Sequence, residues 1–257
     1  MNRLLLRVPA WLLVPLLVVA TACGTTEPAA DASDEPTSRV DISYTQISDS
    51  LEQDEEVAAL VTPYRDQMEA EVETVIAHAP EELTEGNPEG PLGNLAADAL
   101  LHHARELSEG PVHMAMTNNG GLRIPIGPGD ITVGTMYELM PFENRLVVVT
   151  LSGAEVVTFA EQIMEIYGGE PIAGFSFRVH ANSGDIEDLQ IDGAPVDLEA
   201  EYRVVTSDYL ADGGGPPVLE EAPREELPML LRDAFIEYFR DLGALTAEIE
   251  GRIERIE

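Results

Sequence analysis

Residues 117–144, TNNGGLRIPIGPGDITVGTMYELMPFEN, constrain this chain more than any other segment. A mainly apolar run, 112–116, leads into two Asn, two Gly and one Arg. Such a run, bounded by Asn and Gly, reads as a strand feeding a tight turn. Asn and Gly tolerate backbone conformations that other residues resist, and a Gly-Gly pair lets the main chain pass close to a ligand. Arg123 leaves that turn as a planar, permanently charged fork suited to phosphate or carboxylate. After a Pro/Gly turn and a short amphipathic segment, Phe142 offers an aromatic face and Asn144 an amide donor and acceptor. These groups suit a pocket for a flat, anionic ligand such as a nucleotide. The same pieces also occur in ordinary loops, and a Phe ahead of an apolar strand also serves as core.

The beginning of the chain reads as a targeting segment. Arg3 and Arg7 supply a positive start, residues 12–20 an apolar stretch too short for a stable span, and Ala20-Thr21-Ala22-Cys23 a small-residue cleavage site. Cys23 is the only cysteine, which removes any disulfide framework. A cleavage site ending on that cysteine resembles a bacterial lipobox. It implies a signal peptide over 1–22, lipidation of Cys23 and a protein held on a membrane of the bacterial cell envelope without spanning it. Ordinary secretion with an incidental cysteine is the alternative. Residues 23–50, rich in Thr, Glu, Pro, Ala, Asp and Ser, cannot bury enough apolar surface to fold and read as a tether. Residues 51–257 are then the folded part.

The formal net charge is −34, and all 14 basic residues are Arg. That excess of carboxylates argues against nucleic-acid binding, because a phosphate backbone would be repelled. It fits a salt-rich environment, where the Debye length shrinks to about 3 Å near 1 M and self-repulsion is screened. A hydrophobic content of 44% is ordinary for a globular fold.

Within the folded part, apolar residues at three- and four-residue steps predict a lead-in helix over 55–78, broken or started near Pro63. A second helix is predicted over 94–107, with Ala97, Leu100, Leu101 and Ala104 on one face. RLVVVTL, 145–151, is apolar enough for a sheet interior, and Ser152-Gly153 then opens a helix through Val156, Phe159, Ile163 and Ile166. Further strands are predicted at 174–179, 187–191 and 202–206. A last long helix is predicted from Leu227 to Leu242 with Pro228 in its first turn, and a terminal strand within 246–256. The pattern gives an α+β domain (α/β-like) with a mixed sheet flanked by helices.

TNNGGLR, GDITVG, ELMPFEN and the later VVTSDYLADGGG resemble the C-terminal, substrate-binding domain of the 5′-nucleotidase family, from about Val57 to the C-terminus. The resemblance implies a base sandwiched between Phe142 and Tyr209, a base-edge contact from Asn144 and a phosphate contact from Arg123. Asn119 and Gly121, in the turn, complete the candidate binding set. The family's metallophosphoesterase motifs, Asp-x-His and Gly-Asn-His-Asp/Glu, are absent from this sequence. No catalytic residue, metal site or cofactor is therefore expected in this chain. Divalent metals are expected on a partner metallophosphoesterase subunit.

His102 and His103 form the one pair that invites a metal reading. Adjacent helical residues point about 100° apart, unlike an i, i+4 ligand pair. His103 is expected at the core edge and His102 on the solvent side. Two departures from the family pattern bear on affinity. Arginines usual upstream of the Leu-Gly-Asn helix start are missing from EELTEGNPEGPL, and GGGPP (213–217) lacks the ribose-binding Asp unless Asp212 replaces it. The implied function is nucleotide or nucleoside recognition for a 5′-nucleotidase-type hydrolase. The alternative is a non-catalytic surface lipoprotein that binds nucleosides or another ligand.

Overall fold

A computed structural model describes Tyr44, Gln46, Ser48, Leu51 and residues 53–257. The predicted signal peptide and Cys23 lie outside the described residues, as does the predicted tether apart from Tyr44, Gln46 and Ser48.

In chain order the elements begin with α1 (Glu55–Val72), β1 (Val75–Ala79), α2 (Pro91–Leu107), β2 (Met114–Met116), β3 (Gly129–Thr132) and α3 (Val133–Leu139). Next come β4 (Arg145–Ser152), α4 (Gly153–Gln162), β5 (Ile172–Ala173), β6 (Phe175–His180), β7 (Ile186–Ile191) and β8 (Ala194–Pro195). The chain finishes with β9 (Glu201–Ser207), β10 (Arg224–Leu230), α5 (Leu231–Leu242) and β11 (Ile253–Ile256).

Strand β4 shows why its sequence is apolar throughout. Leu146 and Val148 enter one core, while Val147, Val149 and Leu151 enter the other. A strand buried on both faces has no solvent side to mark with polar residues. It pairs antiparallel with β10 and β9, β9 runs parallel to β2, and β2 antiparallel to β5. The result is a mixed five-stranded sheet ordered β10-β4-β9-β2-β5. Helices α2, α3 and α5 cover one face through residues such as Leu100, Met136, Phe235 and Phe239. Val156 and Phe159 of α4, with Phe175 and Phe177 of β6, cover the other. β6 belongs to a second sheet, β11-β6-β7-β8, and β1 pairs with β3 in a two-stranded ribbon. The domain is α+β with a mixed sheet between helices, as the sequence predicts.

Ser152 caps α4 reciprocally: its hydroxyl accepts the Glu155 N–H, and the Glu155 carboxylate accepts the Ser152 N–H at 2.7 Å. The Ser152 N–H and the Ser152 hydroxyl, both donating to the Glu155 carboxylate, hold that carboxyl below its ordinary value. Buried Glu89 fixes the other end of the chain. It accepts the Asn94 side chain at 2.7 Å and the backbone N–H groups of Glu250 and Arg252 at 2.8 and 2.9 Å. Arg252 then makes a bidentate pair with Asp98 of α2.

Three predicted boundaries are corrected. The lead-in helix ends at Val72, and Val75 and His78 belong to β1, which gains main-chain bonds from β3 that local periodicity does not reveal. Pro63 sits inside α1 without breaking it; the helix is exposed, so the carbonyl of Ala59 that Pro63 leaves unpaired is open to water. None of the α1 residues is buried. The last helix starts at Leu231, and Leu227, Pro228 and Leu230 form part of β10, an edge strand that tolerates proline.

Candidate functional site

The turn after β2 is built by spacing rather than by unusual dihedrals. Gly121 has no positive φ, but a Cβ there would stand 3.0 Å from the Asn118 side chain and 3.2 Å from Met140. Asn119–Gly121 form one 3₁₀ turn, which sends successive side chains to different sides. Asn118, Gly120, Gly121 and Arg123 line a cleft of about 780 Å³. Asn119 does not line it. Its Nδ2 donates instead to the Gly86 carbonyl at 3.2 Å, and its backbone N–H donates to Glu170 at 2.7 Å. Sequence order alone does not distinguish the two asparagines; the turn does.

Arg123 is exposed, and one of its NH groups donates back to the Gly120 carbonyl at 2.9 Å. That bond steadies the guanidinium over the turn and leaves its other donors toward solvent and the cleft.

Phe142 and Asn144 lie between α3 and β4 and line the same cleft. The Phe142 loop rests on Arg232, whose NH1 donates to the carbonyls of Met140 and Phe142 at 3.2 and 3.3 Å. The Arg232 guanidinium also stacks 4.1 Å from the Tyr137 ring centroid. Asn144 donates its amide to Asp208 at 2.9 Å, so that donor is engaged within the protein. The same Asp208 oxygen accepts the Tyr209 N–H at 2.7 Å. One carboxylate thus joins the two ring-bearing loops.

Tyr209 lies two residues past the end of β9 and also lines the cleft. Phe142 is 43% and Tyr209 54% exposed, so both rings have free faces. The Tyr209 ring leans on Gly214, where a Cβ would come within 2.5 Å of it. That contact requires glycine, and Gly213 beside it has φ +102°. Asp212 pairs with Arg224 and lines an adjoining hollow with Asp208 and Gly214, not the cleft. Of the predicted set, Gly121, Arg123, Phe142, Asn144 and Tyr209 share one cleft. Asp208 and Arg232 support it without having been assigned a role from the sequence, and Gly214 belongs to the glycine turn that follows Tyr209 in the motif.

A second hollow, of about 550 Å³, lies behind the turn and is lined in part by Glu85, Asn119, Tyr167 and Glu170. Among the described residues, no arginine lines it. Burial pushes the Glu170 carboxyl up to about 7, outweighing the Asn119 N–H bond that favours the charged form; Glu85 adds to the rise. Among the described residues that line the cleft there is one carboxylate, Glu143, and no histidine, a set that does not fit a two-metal hydrolytic centre.

A mixed sheet with two ring-bearing loops lining one cleft defines an α+β domain. A family model described as 5′-nucleotidase, C-terminal domain, matches residues 70–221, and the chain belongs to that family. It is 33% identical over 181 residues to the trifunctional nucleotide phosphoesterase protein YfkN of Bacillus subtilis, covering 64% of this chain and 12% of that protein. It is 28% identical over 182 residues to protein UshA of Escherichia coli, covering 67% and 32%. The crystal structure of a 5′-nucleotidase precursor from Thermus thermophilus superposes with a TM-score of 0.67 at 29% identity, covering 79% of this chain and 43% of that one. The chain therefore spans less than half the length of these relatives.

Proposed function

We propose that this domain recognises a nucleoside or nucleotide for a 5′-nucleotidase-type hydrolase, taking the base between Phe142 and Tyr209. The observation that carries the reading is the shared cleft: two half-exposed rings with Arg123 on its lining, their loops joined through Asp208. Stacking on such rings contributes about 1–3 kcal/mol per base. A separate metallophosphoesterase chain supplies the metals, and this domain orients the ester for attack, a positioning role that accounts for a large part of many rate enhancements. Lipidated Cys23 holds the protein at the cell envelope, and the name of one relative, cell wall protein Lmo0130 of Listeria monocytogenes, supports that setting. The acidic, lysine-free composition suits a salt-rich medium.

A second reading, a non-catalytic nucleoside-binding lipoprotein, is favoured by the Glu85–Glu170 hollow and by the pairing of Asp212 with Arg224. Calorimetry with adenosine and AMP separates the two. Tighter AMP binding supports the hydrolase module, and equal or weaker AMP binding supports the nucleoside reading. Loss of neither ligand in Phe142→Ala and Tyr209→Ala would remove the cleft assignment. Co-purification of a metal-bearing phosphoesterase from membranes tests the division of labour.

A further inference from the structure

Helix α2 carries a cluster of metal-ligating groups that the cleft does not use. His102 Nε2 stands 3.8 Å from one Glu106 oxygen, and His103 Nδ1 stands 3.8 Å from the other. One ligand atom from each of the three residues lies within 4.8 Å of the others. The divergence of adjacent helical side chains does not prevent this. Glu106 is four residues from one histidine and three from the other, so its carboxylate falls between the two rings. The rings meet edge to face with centroids 5.0 Å apart.

At 3.8 Å the nitrogens and oxygens are close but not hydrogen-bonded. A small cation at roughly 2.0–2.2 Å from each atom closes such a gap with side-chain adjustments on the order of an ångström. Two of the ligands are already restrained. His103 is 5% exposed, as expected for the core edge. His102 is half-exposed and packs 5.2 Å from the Tyr238 ring of α5. We propose that His102, His103 and Glu106, all on α2, form a site for a divalent transition cation of the zinc class. Two imidazoles with one carboxylate favour zinc, nickel or copper over magnesium or calcium, which prefer all-oxygen shells. None of these residues lines the cleft, so the site is separate from the proposed nucleotide recognition.

The test uses the full, untagged chain carrying Cys23→Ser, so that the lone thiol cannot take metal. Zinc is titrated calorimetrically in excess magnesium, which occupies non-specific acidic surface. One zinc per chain with micromolar or tighter affinity is expected, weakened at least about tenfold in His102→Gln and in Glu106→Gln. Both positions are solvent-accessible, so neither variant threatens the fold. Zinc should also raise the melting temperature of the parent protein and not of the variants. No saturable binding in excess magnesium, or the same affinity in all three proteins, would overturn the site.

Discussion

Asn144 and Asp208, 64 residues apart in sequence, meet through a 2.9 Å hydrogen bond beside the cleft. The Asp208 oxygen that accepts it also accepts the Tyr209 N–H, so this carboxylate links the Phe142 and Tyr209 loops just beyond the Leu146–Ser207 end of the β4–β9 pairing. Asp208→Ala removes a charge-assisted bond of about 1.5–3 kcal/mol. We expect adenosine affinity to fall at least about tenfold, with partial recovery in Asp208→Asn. Unchanged calorimetric affinity in Asp208→Ala would show that the loops keep their spacing without it.

Gly214→Ala tests the rings without removing either. The new methyl would meet the Tyr209 ring at 2.5 Å, so the ring has to turn away. The expected loss of adenosine affinity matches Tyr209→Ala, about 1–3 kcal/mol. Full affinity in Gly214→Ala together with a loss in Tyr209→Ala would mean that the observed ring position is not the binding one.

Arg123→Ala separates phosphate from base. AMP affinity should drop by about 1.5–3 kcal/mol, the range for a charge-assisted bond, while adenosine affinity stays level. Equal losses for both ligands would assign Arg123 to shaping the turn through its bond to Gly120.

Glu170 predicts a pH effect of unusual sign. Its folded-state carboxyl titrates at about 7, above an ordinary value of 4.5, so between those pH values the folded protein holds the proton more tightly than the unfolded chain does. This group's contribution to stability therefore falls as pH rises through that window. Glu170→Gln retains an oxygen for the Asn119 N–H and loses the buried charge. Urea denaturation at pH 8 should find the variant more stable by roughly 1–3 kcal/mol, with the advantage vanishing near pH 4. An advantage independent of pH would contradict the assignment.

Salt should stabilise the whole domain. With a net charge of −34, self-repulsion is strongest at low ionic strength and is screened at molar salt. The melting temperature is expected to rise from dilute buffer to molar potassium chloride; a flat or falling curve would remove the proposed salt-rich setting.

The sheet interior was legible because its burial is written locally. RLVVVTL has no polar face, and Ser152 with Glu155 spells a helix start before any tertiary contact is known. β10 was not legible. Leu227, Leu230, Leu231 and Ala234 fall at helical spacing, and only the pairing of β10 with β4 decides that Leu227 and Leu230 are extended. In the cleft, the rings and Arg123 could be read from motifs. Arg232 could not, because its value lies in reaching the carbonyls of Met140 and Phe142, some 90 residues earlier in the chain.

Glu89 has a consequence for how the domain holds its shape. By gripping the main chain at residues 250 and 252, it closes a circuit that contains every cleft-forming residue from 117 to 231. Slackening that clasp would loosen the recognition surface from a distance, with no ligand-facing atom changed. The far terminus is thus fastened to the start of α2, with the loops enclosed by the fastening.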